Sequence, residues 1–284
     1  MDKYILTLSC KERIGIVRSV VNFVYGIGGS IVDAAQFTDL DNQKFFARWE
    51  FIASTQSLPL VDQVKELFLP IADEFSMTWD LYDAAVKPRI LIAVSKFGHC
   101  LNDLLYRWKD EEFPAEIVGV VSNHEDFREK VEWYGLPFHY LPVRSDTKFE
   151  QENTILDIIN DHSVDLLVLA RYMQILSDDM CQKVDGKAIN IHHSFLPSFM
   201  GAKPYHQAFD RGVKIVGATA HYVTKDVDEG PIIEQDVRRV EHFHNSSFMT
   251  RLGKSVENQV LITALYWHCQ RRVLVNCNKP VIFK

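Results

Sequence analysis

Apolar and polar positions change rhythm twice along the chain. In the first 85 residues, Tyr4 to Ser9 is a short run rich in apolar and β-branched residues, which predicts a strand. Ile16, Val17, Val20, Val21 and Val24 then recur at helical spacing within Ile14 to Gly26, and Gly28-Gly29 stops that helix. Ile31 to Thr38 and Lys44 to Ala53 read as strands joined by a polar turn at residues 39–43. Leu60 to Phe75 reads as a second helix and Met77 to Asp83 as a fourth strand. The order βαββαβ predicts a ferredoxin-like unit. Beyond Lys87-Pro88-Arg89 the apolar runs become continuous: Ile90 to Ser95, Ile117 to Ser122 and Leu166 to Ala170 read as strands buried on both faces. Phe138 to Leu141 and Ala188 to His192 add strands, and helices are expected over 101–109, 127–134, 150–162 and near Asp178. This alternation predicts a doubly wound, mostly parallel α/β sheet. Ser246 to Arg271 reads as one long amphipathic helix, followed by a hairpin over 272–283. Two domains are expected, 1–86 and 87–284.

Composition narrows the function classes. With 47% hydrophobic and 24% charged residues over 284 positions, the chain can bury a full core without staples. A net charge of -7 with no basic block argues against nucleic acid as a partner. No apolar run is long enough for a membrane span, and the N-terminus lacks the features of a signal peptide. The five cysteines are scattered, and none lies in a C-x-x-C; they read as reduced thiols of a cytoplasmic protein.

Candidate chemistry concentrates between Ala188 and Gly230. Asn190 and His192 alternate on a strand and share a face, while His193 points away. They lie where a strand of an open α/β sheet ends, the side on which such sheets bind ligands. An amide beside an imidazole suits attack on an acyl carbon: the amide N–H stabilises an oxyanion and the imidazole moves a proton. Asp228, in the loop Thr224 to Pro231, is placed to orient that imidazole or to activate water. The same three residues also fit a strand cap and an Asx-turn. A metal set of His192, His193, His206 and His221 is a third reading, without a diagnostic spacing.

Several motifs occur together and in order: Asn190-Ile191-His192, Ser194-Phe195-Leu196-Pro197, Gly217 to Thr224, and Asp228-Glu229-Gly230-Pro231-Ile232-Ile233. With Ala170 to Ser177, they resemble the formyltransferase-fold family that handles 10-formyltetrahydrofolate, from about Lys87 to the C-terminus. The resemblance implies Asn190, His192 and Asp228 as catalytic residues, and a pterin held between Met173, Gln174, Ile175, Leu176 and the loop carrying Val223 and Thr224. It implies no metal and no redox cofactor. Asn190 to Gln207 and Pro137 to Val143 resemble the deformylase branch, which hydrolyses its folate substrate and supplies formate and free tetrahydrofolate to one-carbon and purine metabolism. There Lys203, Tyr205 and His206 are expected to shape the substrate site. His193 is expected on the back of the strand, and His221 behind the catalytic residues.

Two departures refine that expectation. Transferases of this family with a ribonucleotide acceptor bind its phosphate through a G-x-G-S-N loop after the first strand; here the place reads Ser95-Lys96-Phe97-Gly98-His99-Cys100. Side chains at these positions disfavour a phosphate nest, which leaves water as the natural acceptor, with phosphate binding by Lys96 as the alternative. The N-terminal unit resembles an ACT domain, which implies an amino-acid effector. Its first turn, Cys10-Lys11-Glu12-Arg13-Ile14-Gly15, departs from the C-P-D-R-P-G pattern, which weighs against effector binding but not against the fold. Its sheet edges make a homo-oligomer the expected minimum role.

Overall fold

The structure, a computed structural model, describes residues 2–54, 57–144, 146–196 and 204–284, apart from the side chains of Pro204 and His206. Two compact units emerge. One comprises Met1–Lys87 with Gln270–Asn276 and Pro280–Lys284, and the other Pro88–Cys269 with Cys277–Lys279.

The first unit contains β1 (Lys3–Lys11), α1 (Ile16–Gly26), β2 (Gly29–Asp39), β3 (Lys44–Ala53), α2 (Val61–Phe75) and β4 (Thr78–Asp83). The sheet order is β2-β3-β1-β4, antiparallel throughout, as the βαββαβ pattern predicts. Tyr4, Leu6, Leu8 and Cys10 alternate along β1 and face a core built from Ile16, Val20 and Val24 of α1 and Val64, Phe68, Ala72 and Phe75 of α2. Gly15 enters α1 at φ +102°, a conformation that favours glycine.

The other face of β3 carries Arg48, which is 1% exposed. A buried guanidinium must be paired. Arg48 donates to Glu50 (2.5 Å), to Asp33 (3.0 Å) and to the carbonyl of Gln270 (3.0 Å). The terminal hairpin, β12 (Val273–Asn276) and β13 (Lys279–Ile282), follows. Asn276 donates to Asp39 at 2.7 Å, and the Arg271 guanidinium lies 4.2 Å from the Tyr82 ring centroid. The chain end therefore groups largely with the first unit, whereas the sequence pattern had assigned all of 87–284 to the second. The physical reason is the acceptor demand of Arg48, which a local pattern does not reveal.

The second unit holds β5 (Arg89–Val94), α3 (His99–Lys109), β6 (Glu116–Ser122), α4 (Arg128–Trp133), β7 (Phe138–Tyr140), α5 (Lys148–Asp161) and β8 (Leu166–Leu169). These are followed by α6 (Asp178–Lys183), β9 (Ala188–His192), α7 (Pro204–Asp210), β10 (Ile215–Tyr222), β11 (Ile232–Arg239) and α8 (Ser246–Cys269). The sheet order is β11-β10-β9-β8-β5-β6-β7. Strands β7 to β9 in that order are parallel, and β10 pairs antiparallel with both β9 and β11. Chain direction across the sheet reverses between β5 and β8, which opens a crevice at their carboxyl ends.

Candidate active site

The crevice is built from strand ends and two loops. Asn190 stands directly opposite His221 in the β9–β10 register, so their side chains share a face. The Asn190 amide nitrogen lies 3.2 Å from His221 Nε2. His221 Nδ1 lies 2.8 Å from the carbonyl of Tyr222, an acceptor only, so Nδ1 carries the proton. In the neutral ring, Nε2 then accepts from Asn190. One Asn190 N–H is thereby committed, and its second N–H is left for a ligand.

The loop after β10 brings in the carboxylate. A Cβ on Gly230 would lie 1.8 Å from the Tyr222 carbonyl oxygen, so only glycine lets the loop fold back this closely. The turn places Asp228 at φ +59°, with Oδ2 3.1 Å from His192 Nδ1 and Oδ1 3.5 Å from His221 Nε2. Burial works to raise the Asp228 carboxyl. The His192 hydrogen bond, and the hydrogen bond and positive charge that the neighbouring imidazoles supply when protonated, outweigh burial and hold it well below the usual carboxylate range. Ionised Asp228 fixes the proton on His192 Nδ1. His192 Nε2 is buried without a hydrogen-bond partner among the described residues.

These groups line a cavity of about 390 Å³. Met173, Gln174, Ile175, Leu176, Val223 and Thr224 all line it. The wall over 171–176 has no regular structure and is held by polar anchors. Ser95 N–H donates to the Arg171 carbonyl (3.2 Å), and Met173 N–H donates to Ser95 Oγ (3.0 Å). Gln151 donates to Tyr172 (2.6 Å), and Ser177 N–H donates to Glu152 (2.8 Å).

The formyl transferase family model matches residues 88–265. A formyltetrahydrofolate deformylase of Corynebacterium sp. (strain P-1) is 46% identical over 99% of this chain and 98% of the relative. The Bacillus subtilis (strain 168) enzyme of that name is 44% identical over 99% of this chain and 94% of its own length. The chain belongs to the formyltetrahydrofolate deformylase family. A crystal structure of the Burkholderia mallei deformylase superimposes with a TM-score of 0.96 at 45% identity, covering 100% of both chains.

Not every predicted residue of this deformylase family chain lies at the cavity. Tyr205 does not line it: its ring packs on Gly253 of α8, and its hydroxyl donates to Glu257 at 2.7 Å. A large, buried phenol is better satisfied by that carboxylate than by an open pocket. Lys203 and the His206 side chain lie outside the described residues. His193 does line the cavity, contrary to the expected back-of-strand position, because β9 ends at His192 and strand alternation stops there. Burial lowers its pKa to about 4, reinforced by the charges of Arg171 and His192. His221 is not merely packed behind the site; it bridges Asn190 and Asp228. Among the described residues the His192, His193 and His221 rings do not gather into a metal-binding group; His99, Cys100 and Glu257 do. Arg171 Nε lies 3.3 Å from Glu257, and this cation beside the carboxylate argues against a metal there.

Sequence reasoning missed Glu257 and the weight of Arg171. Glu257 is 1% exposed, and His99 Nε2 lies 2.8 Å from it. Burial works against its charge, but the His99 hydrogen bond and the Arg171 cation keep the carboxyl below its ordinary pKa. The signal was a lone acid among Val256, Val260 and Leu261 on the buried side of α8. His99 of the altered loop is thus paired internally, while Lys96 is exposed.

Proposed function

We propose that this chain hydrolyses 10-formyltetrahydrofolate to formate and tetrahydrofolate, with water as the acceptor and the second unit as the catalytic domain. The observation that carries the reading is the Asn190–His221–Asp228–His192 cluster on the floor of a cavity whose wall is the 171–176 segment. The pterin lies against Met173, Gln174, Ile175 and Leu176 on one side and Val223 and Thr224 on the other. Water attacks the formyl carbon while His192 Nε2 takes its proton. The second Asn190 N–H donates to the oxyanion. His192 then returns the proton to N10, the C–N10 bond breaks, and formic acid ionises to formate. Both Asp228 oxygens face imidazoles, which supports a role in orienting His192 over one in activating water. No step calls for a metal or redox cofactor.

The same reading gives the first unit an oligomerising role as an ACT-like domain. Support comes from β2 and β4, each of which ends the four-stranded sheet with one edge unpaired among the described residues. An amino-acid effector belongs to this reading only as the weaker part, because the first-turn residues depart from the ACT pattern. Cys10, Cys100 and Cys181 are buried thiols outside any disulfide, which supports a reducing, cytoplasmic setting. Among the described residues, no helix is long and apolar enough to cross a membrane.

The test is incubation of the purified protein with 10-formyltetrahydrofolate and no amine. Formate and tetrahydrofolate should appear together, and His192→Ala should abolish both. Turnover that requires an amine acceptor would make the chain a transferase instead.

A further inference from the structure

Cavity exposure is graded. Met173, Ile175 and Val227 form a rim that is 51–66% exposed, while His192, His221 and Arg171 lie at 3–8%. Arg171 follows β8 at the point where chain direction reverses, and holds a left-handed backbone at φ +66°. A non-glycine residue in that region is strained, and such strain concentrates at ligand sites.

The Arg171 guanidinium has unspent capacity. It lies 5.5 Å over the Phe97 ring and 3.3 Å from Glu257, yet its Nε makes no hydrogen bond among the described residues. Glu257 is already satisfied by the Tyr205 hydroxyl at 2.7 Å and by His99 at 2.8 Å. A guanidinium offers five donors in a planar fork and does not lose its charge. Arg171 therefore lines the cavity with a guanidinium whose ionic partner among the described residues is Glu257. His193 lines the same floor, its ring centroid 5.0 Å from that of His192, and its low pKa keeps it a neutral N–H donor near pH 7.

We propose that Arg171 and His193 form a carboxylate subsite at the cavity floor that holds the formate released there. The proposal rests on the hydrolase reading for the identity of the anion. A guanidinium fork matches a carboxylate in two parallel hydrogen bonds. Glu257 behind Arg171 offsets its charge, so the site suits a small monoanion and opposes a phosphate dianion. A carboxylate could also come from the glutamate end of the folate. The floor position favours formate, because a long folate tail would leave across the exposed rim of Met173, Ile175 and Val227.

The experiment titrates carbon-13 formate into the folate-free full-length protein and follows its NMR line width. Wild-type protein should show saturable binding. The charge-balanced pair Arg171→Gln with Glu257→Gln should bind formate about tenfold more weakly, the loss of one charge-assisted hydrogen bond. Arg171→Lys keeps the charge beside Glu257 but loses the fork, and should weaken formate binding in the same direction if the paired variant fails to fold. Equal formate binding in wild type and variants would overturn the subsite, as would no saturable binding at all. So would variants that lose glutamate-bearing folate and keep formate, which would assign Arg171 to the folate tail. The titration needs no turnover, so the two readings fail separately. An inactive protein with Arg171-dependent formate binding would sink the hydrolase reading, whereas an active hydrolase without such binding would sink only the subsite.

Discussion

His221 shows how one ring can tie an amide and a carboxylate into one site. Its Nδ1 is tied to a backbone carbonyl, its Nε2 meets the Asn190 amide, and Asp228 spans from it to His192. The Asn-x-His pair and the distant Asp were legible in the sequence because the family motif keeps their spacing. The His221 bridge was not, since it arises from the β9–β10 register, a pairing of residues 31 positions apart. Asp228→Asn should leave tetrahydrofolate binding intact and lower turnover by about 100-fold, because the amide no longer holds His192 by charge. Comparing kcat with the tetrahydrofolate dissociation constant checks this, and near-normal kcat would remove Asp228 from the mechanism. His193 gives a pH signature. Its folded pKa of about 4 lies below the ordinary value of 6.5, so between those limits the unfolded chain binds more protons and stability rises with pH. Urea unfolding across that window should give a shallower slope for His193→Gln than for wild type. The depressed Asp228 pKa acts differently: its contribution is present above the unfolded carboxylate range and is lost only at lower pH.

At the scale of elements, continuous apolar runs made β5, β6 and β8 plain, because parallel strands buried on both faces need no alternation to be recognised. Strands β10 and β11 were not anticipated. The Gly217 to Thr224 segment stood out for its motif instead of its pattern, and β11 carries Glu234, Gln235, Asp236, Arg238 and Arg239 in a short run. They matter to the site, since β10 delivers His221 and the β10–β11 loop delivers Asp228. Tyr205 was misplaced for a related reason: its seat on α8 lies 52 residues away at Glu257. A Cβ on Gly253 would lie 2.0 Å from Tyr205 Cζ. Gly253→Ala gains helix propensity of about 1 kcal/mol, but displacing a buried ring costs about 1–3 kcal/mol and separates Tyr205 from Glu257. Net destabilisation in urea unfolding is therefore expected, and a more stable variant would show that the phenol seat carries no energy.

For the whole molecule, the central claim is that water takes the formyl group. The residues that serve this claim lie within the second unit, at the crevice where strand order reverses between β5 and β8, and kinship to the deformylases extends over both units. The residues from Ser95 to Cys100 turn one imidazole inward to Glu257 instead of forming an open glycine nest, which fits a reaction without a phosphorylated acceptor. The most direct measurement is turnover of 10-formyltetrahydrofolate in water enriched in heavy oxygen, with formate analysed by mass spectrometry. One heavy oxygen per formate, appearing in step with tetrahydrofolate and absent in His192→Ala, is the predicted result. Formate that carries no label, or tetrahydrofolate that appears only when an amine is supplied, would contradict the account.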